Sequence, residues 1–111
     1  MKLKEVAEKL NCTVIWGQEG LEQDCAGGYV SDLLSDVAGH AQEGQIWLTI
    51  QTHVNVVAVA LLRNLAAILF TAGAIPGRET IKKAKEEGIV LLGTDLPTFE
   101  AGGRLYLLLR E

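Results

Sequence analysis

The sequence has few of the residues that define the more specialised classes of protein. Aromatic residues make up 5% of the chain, and there are two cysteines, two prolines, two histidines and one methionine. Cys12 and Cys25 are too few for a disulfide framework and lack the paired spacing of a zinc site. A core that is poor in aromatic residues has to be built from Val, Ile, Leu and Ala. We therefore expect two ordinary reduced thiols and an aliphatic core.

Long apolar segments and a basic face are also missing. The longest apolar segment, residues 54–62, ends at Arg63 and falls short of the roughly 18–20 residues that cross a bilayer. The first residues carry charge, with no apolar stretch and cleavage site behind them, so no signal peptide is indicated. The net charge is −4, and nucleic-acid phosphates would require concentrated positive charge. We expect a cytoplasmic protein with neither a membrane nor a nucleic acid as its partner.

Motifs for catalysis are absent as well. Gly39 and Gly44 have the spacing of the glycines in a phosphate-binding loop, but Gln45 and Ile46 stand where Lys and Ser or Thr are needed. The sequence has no serine nucleophile elbow, no paired-histidine zinc motif and no dinucleotide-binding glycine pattern. His40 is expected to be a surface residue at a helix end. The chain is therefore predicted to be non-catalytic, with no metal site and no cofactor.

What is present is the composition of a globular domain. In 111 residues, 49% are hydrophobic and 22% are charged, which allows one hydrophobic core. Three nearly continuous apolar runs, residues 46–50, 66–70 and 89–92, have the pattern of strands buried on both faces. The segments between them, residues 54–63 and 77–87, have helical spacing. Because strand and helix alternate, we predict one α/β domain over the whole chain, with three α/β/α layers and a mainly parallel central sheet.

The two ends of the chain carry weaker patterns. Before the first apolar run we predict a helix, a strand, a loop, a strand and a helix, over residues 2–10, 13–16, 17–27, 28–31 and 32–41. A final helix, residues 96–110, is expected to start after Asp95 as its N-cap. Gly102 and Gly103 within it each cost about 1 kcal/mol relative to Ala. The simplest compensation is close approach of another backbone, either from this domain's own sheet or across a subunit interface.

The apolar residues predict both a core and self-association. Six side chains are expected to be buried on the central strands: Leu48, Ile50, Ala67, Leu69, Val90 and Leu92. Residues 105–109 are five consecutive apolar residues, which leave the final helix without a polar face. Because the sheet can cover only one side of that helix, we expect a homo-oligomer, with a dimer favoured.

Polar residues collect where the three central strands end. They are Gln51, Thr52, His53 and Asn55 after the first strand, Thr71 and Gly73 after the second, and Thr94 and Asp95 after the third. The carboxyl ends of parallel strands share one edge, where α/β sheets bind ligands, and a helix that begins there favours an anion. Two interpretations stay open: these residues cap helices and form turns, or they line a pocket for a small anionic ligand.

Three functions are compatible with these features. The first is a regulatory or sensory module that binds a small anionic metabolite or a nucleotide at the strand ends. The second is a small transferase-like enzyme that uses His53 and Asp95 as an acid–base pair, although no nucleophile or metal accompanies them. The third is a scaffold that binds a protein partner and no ligand.

The stretch of residues 49–104 resembles the DRTGG domain, a family named for a D-R pair after one strand and a T-G-G triplet after the next. Thr71, Ala72 and Gly73 match two residues of the triplet, and the D-R position falls on Thr52 and His53, which match neither. Residues 28–36 look like the opening of short stand-alone members. The stretch is similar to the N-terminal domain of bacterial HPr kinase/phosphorylase and to segments found in some phosphotransacetylases and beside CBS domains.

The resemblance implies a three-layer α/β fold, self-association and a sensory or regulatory role. The kinase activity of the larger relatives resides in a separate phosphate-loop domain, which this chain does not contain. A ligand mode that relies on the arginine of the D-R pair has no counterpart at His53. A neutral histidine there could bind a polar group, and a protonated one could hold an anion.

Overall fold

The computed structural model describes all 111 residues and contains five strands and five α-helices. The strands are β1 (Thr13–Trp16), β2 (Gly27–Val30), β3 (Gln45–Thr49), β4 (Ala67–Phe70) and β5 (Leu91–Gly93). The helices are α1 (Leu3–Lys9), α2 (Leu34–His40), α3 (Asn55–Leu62), α4 (Arg78–Glu87) and α5 (Thr98–Leu109). A short 3₁₀ helix, Gln18–Glu22, lies within the segment that was predicted to be a loop.

The strands form one sheet in the order β1-β5-β4-β3-β2. Strands β2 to β5 run parallel to one another, and β1 pairs antiparallel with β5 at one edge. The register of β1 shifts between Val14 and Trp16, which is a β-bulge or a similar irregularity. Strand β2 forms the opposite edge of the sheet. The mainly parallel central sheet is confirmed.

Helices cover both faces of the sheet, which confirms the three-layer α/β/α architecture. Strand residues alternate between the two faces, so each face has its own apolar cluster. Leu48, Leu69 and Leu92 pack with α1 and α5 on one face. Trp47 and Ile68 pack with α2, α3 and α4 on the other. Parallel strands that are covered in this way are apolar on both sides, as the continuous runs indicated.

Five of the six side chains expected in the core are buried, and Ile50 is the exception. Its side chain is 49% exposed. Strand β3 ends at Thr49, and the Ile50 N–H donates to the Asp32 Oδ1 at 2.9 Å, so the backbone leaves the sheet at this point. The same carboxylate oxygen accepts a hydrogen bond from Thr49 Oγ1 at 2.7 Å. Asp32 therefore ends the strand one residue earlier than the apolar run suggested.

The start of α5 also differs from the prediction. Pro97 occupies the N-cap position and Thr98 is the first helical residue, so Asp95 is not the cap. Instead, the Leu96 N–H donates to Thr94 Oγ1 at 3.2 Å, which forms a turn before the helix. Proline suits this position because it has no backbone N–H to leave unpaired.

None of the helices is long and apolar enough to cross a membrane. Both cysteines are free, Cys25 buried and Cys12 half-buried. Burial raises the pKa of the Cys12 thiol to about 11.

Candidate functional site

The sheet topology places the polar strand ends next to one another. Strands β3, β4 and β5 are neighbours and parallel, so the residues that follow them lie along one edge of the sheet. Neighbouring strands are about 4.8 Å apart, so β3 and β5 are separated by about 10 Å. This edge therefore carries all eight residues proposed from the sequence, divided between the turn into α3 and the loops after β4 and β5.

The turn into α3 presents unpaired backbone N–H groups. Those of Thr52, His53 and Val54 donate no hydrogen bond within the protein. The Asn55 N–H donates to His53 Nδ1 at 3.1 Å, which makes His53 the group that caps this helix. The side chains of Gln51, Thr52 and Asn55 are in no hydrogen bond, so capping does not explain them. Three consecutive free N–H groups at a helix start favour a negatively charged ligand.

Helix α4 begins beside the same turn. Thr80 Oγ1, in the first turn of α4, donates to the Thr52 carbonyl oxygen at 2.7 Å, and Thr80 is buried. The N-cap of α4 is Gly77, which has no side chain to pair with the first N–H groups. Arg78, the first helical residue, is exposed and in no ion pair within 4.0 Å. The N-termini of α3 and α4 thus lie close to Thr52, and Arg78, two positions before Thr80, is an exposed cation at the start of α4.

Arg78 was not among the residues proposed from the sequence. It lies 26 positions after Thr52, in a helix whose own pattern contains nothing that distinguishes this arginine from the other exposed basic residues. The start of α4 lies near Thr52 because α4 packs against α3, as the hydrogen bond between Thr80 and Thr52 shows. The local sequence therefore holds no signal that would have identified it.

A cleft of about 310 Å³ with a mixed polar and apolar lining lies at the ends of β4 and β5. Gly73, Thr94 and Asp95 line it together with Thr13, the first residue of β1, and Asn11, two residues before that strand. Gly73 has a φ of 74°, a left-handed conformation that suits glycine, and a Cβ added there would lie 3.5 Å from Asp95 Oδ1. Ile15, Ala74 and Ile75 supply an apolar part of the lining, and Asp95 is its one carboxylate, so this cleft suits hydroxyl or amino groups on a partly apolar ligand.

Two of the threonines use their hydroxyl groups within the protein. Thr71 Oγ1 lies 2.6 Å from Thr98 Oγ1 and joins the end of β4 to the start of α5. Thr94 Oγ1 donates to the Leu10 carbonyl oxygen at 3.3 Å, in addition to accepting the Leu96 N–H. Both threonine side chains are buried. They hold the strand-end loops in position whether or not a ligand binds.

The acid–base pair considered for an enzyme is not assembled. No hydrogen bond or ion pair within 4.0 Å joins His53 to Asp95. His53 lies after β3 and Asp95 after β5, with β4 between them. The Nδ1 atom of His53 is already engaged by the Asn55 N–H. The strand-end edge of the sheet therefore has two parts. The turn of residues 52–54 favours an anion, and the cleft at Asp95 carries a carboxylate.

The larger concave region of the molecule lies elsewhere. A groove of about 600 Å³ runs between α5 and the edge strand β2, and we call it the α5–β2 groove. Its lining includes Gly28, Val30, Phe99, Gly102, Gly103 and Tyr106. None of the residues proposed from the sequence as ligand-binding belongs to it. Because its lining is mostly apolar or glycine, its surface suits packing more than the binding of an anion.

These features define a three-layer α/β domain with a mixed polar edge at its strand ends. The fold is similar to the crystal structure of the CBS and DRTGG domains of the regulatory region of Clostridium perfringens pyrophosphatase, complexed with the activator diadenosine tetraphosphate. The TM-score is 0.71 with 19% sequence identity. The match covers 94% of this chain and 45% of that chain, so this chain spans less than half the length of that one. The fold expected from the DRTGG resemblance is thus shown.

No protein-family model matches the sequence, and no curated protein matches it either.

Proposed function

We propose that this protein is a DRTGG-type regulatory module that binds a small phosphorylated ligand, such as a nucleotide, and does not catalyse a reaction. The observation that carries the proposal is the group of three unpaired N–H groups at residues 52–54, beside the start of α4, whose first residue is Arg78. Backbone N–H groups at helix starts bind phosphate oxygens well, because they supply donors and a positive partial charge together.

The cleft at Asp95 supplies the second half of the proposed site. The phosphate groups of the ligand bind at residues 52–54 and Arg78, and its hydroxyl or amino groups bind at Asp95. The separation of about two strand spacings, roughly 10 Å, is comparable to the length of a nucleotide. In this proposal, seven of the eight residues proposed from the sequence line the site, namely Gln51, Thr52, His53, Asn55, Gly73, Thr94 and Asp95, and Thr71 supports it.

The structural neighbour supports a regulatory role. That protein is a regulatory region, and its structure contains a nucleotide activator. The alternative of a transferase-like enzyme is less favoured because His53 and Asp95 do not contact each other. Two free thiols are typical of a reducing compartment, so we propose a cytoplasmic location. We also propose that the module works as a homo-oligomer, because α5 exposes apolar side chains that the sheet does not cover.

Thermal denaturation with ATP, ADP, AMP and inorganic phosphate tests the ligand proposal. A ligand at about 100 times its Kd stabilises the folded state by about 2.7 kcal/mol, which a melting curve readily detects. Arg78→Gln should weaken binding by about ten- to a hundredfold, the effect of losing one charge-assisted hydrogen bond. Lys85→Gln is the matched control, because it removes the same charge from the same helix about 10 Å further along.

The outcomes separate the hypotheses. A saturable shift that Arg78→Gln weakens and Lys85→Gln does not supports the site. Equal weakening by both variants would show attraction by net charge alone and would overturn it. The absence of a shift with all four compounds would also overturn it. Product formation during incubation with a shifting compound, measured by chromatography, would favour the enzyme instead.

A further inference from the structure

The α5–β2 groove carries unusually exposed apolar side chains. Phe99 is 94% exposed, Tyr106 is 61% exposed and Val30, on the edge strand, is 55% exposed. Phe99 and Tyr106 are seven positions apart, so they lie on the same side of α5, two turns from each other. The opposite side of the helix holds Ala101, Leu105 and Leu108, which are buried against the sheet. Helix α5 therefore has two apolar sides, and the domain covers one of them.

The glycine pair between the two aromatic residues is not required by the domain's own packing. A Cβ added at Gly103 would meet no atom within 4 Å, and one at Gly102 would meet Val30 Cγ2 at 3.5 Å, an ordinary contact. Both residues have negative φ values, so their backbone conformation does not require glycine. Two helix-destabilising residues thus occupy positions where alanine would fit within the monomer.

We propose that a second copy of this chain covers the groove, with α5 packed antiparallel against α5 of the partner about a twofold axis between Gly102 and Gly103. This inference adds a geometry to the self-association proposed above. Phe99 and Tyr106 are each 3.5 positions from the axis, on opposite sides of it. An antiparallel pair therefore sets Phe99 of one copy level with Tyr106 of the partner subunit, about 5 Å along the helix from the axis. The glycines let the two backbones approach at the centre.

The charges on α5 favour this orientation. Glu100 precedes the glycine pair and Arg104 follows it, and the two form an exposed ion pair at 3.2 Å within the helix; Arg110 and Glu111 come after α5. In an antiparallel pair, the acidic half of each helix lies beside the basic half of the other, and the helix dipoles oppose one another favourably. A parallel pair would place arginine beside arginine. Arg110 also lies over the Tyr106 ring, 5.3 Å from its centroid, at the rim of the proposed interface.

The available area is consistent with an interface between two copies. Aromatic side chains bury about 150–250 Å² each, so the exposed parts of Phe99 and Tyr106 provide about 300 Å² per copy. A stable interface buries about 800 Å² per partner, with an apolar centre and a polar rim. The aromatic pair supplies that centre, and the walls of the groove with the charged residues of α5 supply the remainder.

The first test measures mass. Light scattering of the wild-type protein at micromolar concentration should give a dimer, and Phe99→Asp should give a monomer that is still folded, because Phe99 makes almost no contact within its own copy. Leu62→Asp is the control, since Leu62 is 68% exposed at the end of α3 on the other layer. A wild-type monomer would overturn the proposal, as would a dimer that survives Phe99→Asp.

The second test measures orientation by disulfide cross-linking. In the antiparallel pair, residue 103 of one copy lies about 1.5 Å along the helix axis from the same residue of the other copy. Residues 99 and 106 each lie about 10 Å from the same residue of the other copy. Gly103→Cys should therefore cross-link two copies under mild oxidation, and Phe99→Cys or Tyr106→Cys alone should not. The double variant Phe99→Cys/Tyr106→Cys should cross-link, because each new thiol faces the other one across the axis. Cross-linking through Phe99→Cys alone would show a parallel pair and overturn the geometry.

Gly103→Ala separates packing between copies from helix stability. The variant should melt at a higher temperature than wild type at a dilution where both are monomers, while its dimerisation weakens at least about fivefold through overpacking. Unchanged dimerisation would overturn the role of the glycine pair.

Titration with ATP on the same Phe99→Asp monomer keeps the two proposals distinct. ATP binding by this monomer would support the ligand site whatever the outcome for the interface, and a wild-type dimer that dissociates with Phe99→Asp but binds no ATP would support the interface alone.

Discussion

Replacing Leu69 with Ala should destabilise the protein by about 3–4 kcal/mol, and the structure shows why. Leu69 is fully buried on β4, the central strand, with Leu48 opposite it on β3 and Leu92 opposite it on β5. The substitution removes three buried carbons, and the lost burial contributes about 2.5 kcal/mol, at about 0.8 kcal/mol for each carbon. The cavity adds to this, because strands on both sides hold the neighbouring side chains in place.

A loss of that size is measurable without unfolding the protein. A chain of this length has a free energy of unfolding of about 6–16 kcal/mol, so the variant remains folded at 25 °C. Its Tm should fall by about 12–20 °C. Urea denaturation followed by Trp fluorescence is a suitable assay, since Trp47 is fully buried and its Nε1–H donates to the Ser31 carbonyl oxygen at 2.8 Å. All variants are compared at one protein concentration, because self-association adds stability that depends on concentration.

Ile50→Ala is the matched control for Leu69→Ala. The two residues belong to adjacent apolar runs of the sequence, but Ile50 is 49% exposed and lies beyond the end of β3. Its truncation should cost less than about 1 kcal/mol. An equal loss in both variants, or a loss below about 1 kcal/mol for Leu69→Ala, would mean that β4 does not lie at the centre of the sheet. The layer assignment would then be refuted.

Two further predictions follow from the hydrogen bonds and burial of single residues. His53→Ala should lower the free energy of unfolding by about 0.5–1 kcal/mol, because the Asn55 N–H loses its cap. Asn55→Ala should change it by less than about 0.5 kcal/mol. Equal losses in chemical denaturation would contradict the assignment of His53 as the cap. Cys12 has a pKa raised by burial from 9.0 to about 11, so the folded state holds its proton more tightly than the unfolded state and stability should fall as pH rises from 9 to 11. Cys12→Ala should make that part of the pH–stability curve less steep, and a curve unchanged by the substitution would show that another group is responsible.

The fold was predictable because its central strands are buried on both faces. A run such as residues 66–70 has no polar position, and in the structure β4 occupies nearly the same residues, with a covered face on each side. The end of such a run is less certain than its existence. Ile50 is as apolar as Leu48, and only the carboxylate of Asp32, eighteen positions earlier, shows that the strand has ended. Sequence periodicity contains no information about a partner so distant.

The position of the candidate site could be predicted from the sequence, but the set of residues that form it could not. Strand ends collect ligands in parallel sheets, so Thr52 and His53 could be proposed from their position alone. Whether a polar residue there is free or engaged depends on hydrogen bonds that form only in the folded chain, as for Thr71 with Thr98. The start of α4, with Arg78 as its first residue, reaches the same edge through the packing of α4 against α3, which no local sequence pattern indicates.

The irregular register of β1 affects how this protein can associate without aggregating. A regular strand at the edge of a sheet presents a row of free hydrogen-bonding groups, and other chains can add to it without limit. The shift between Val14 and Trp16 interrupts that row on one edge. On the other edge, β2 is four residues long and half of it is glycine, which makes it a poor template. Growth by strand addition is thus discouraged at both edges, and the side of α5 that carries Phe99 and Tyr106 remains available for an assembly that closes after two copies.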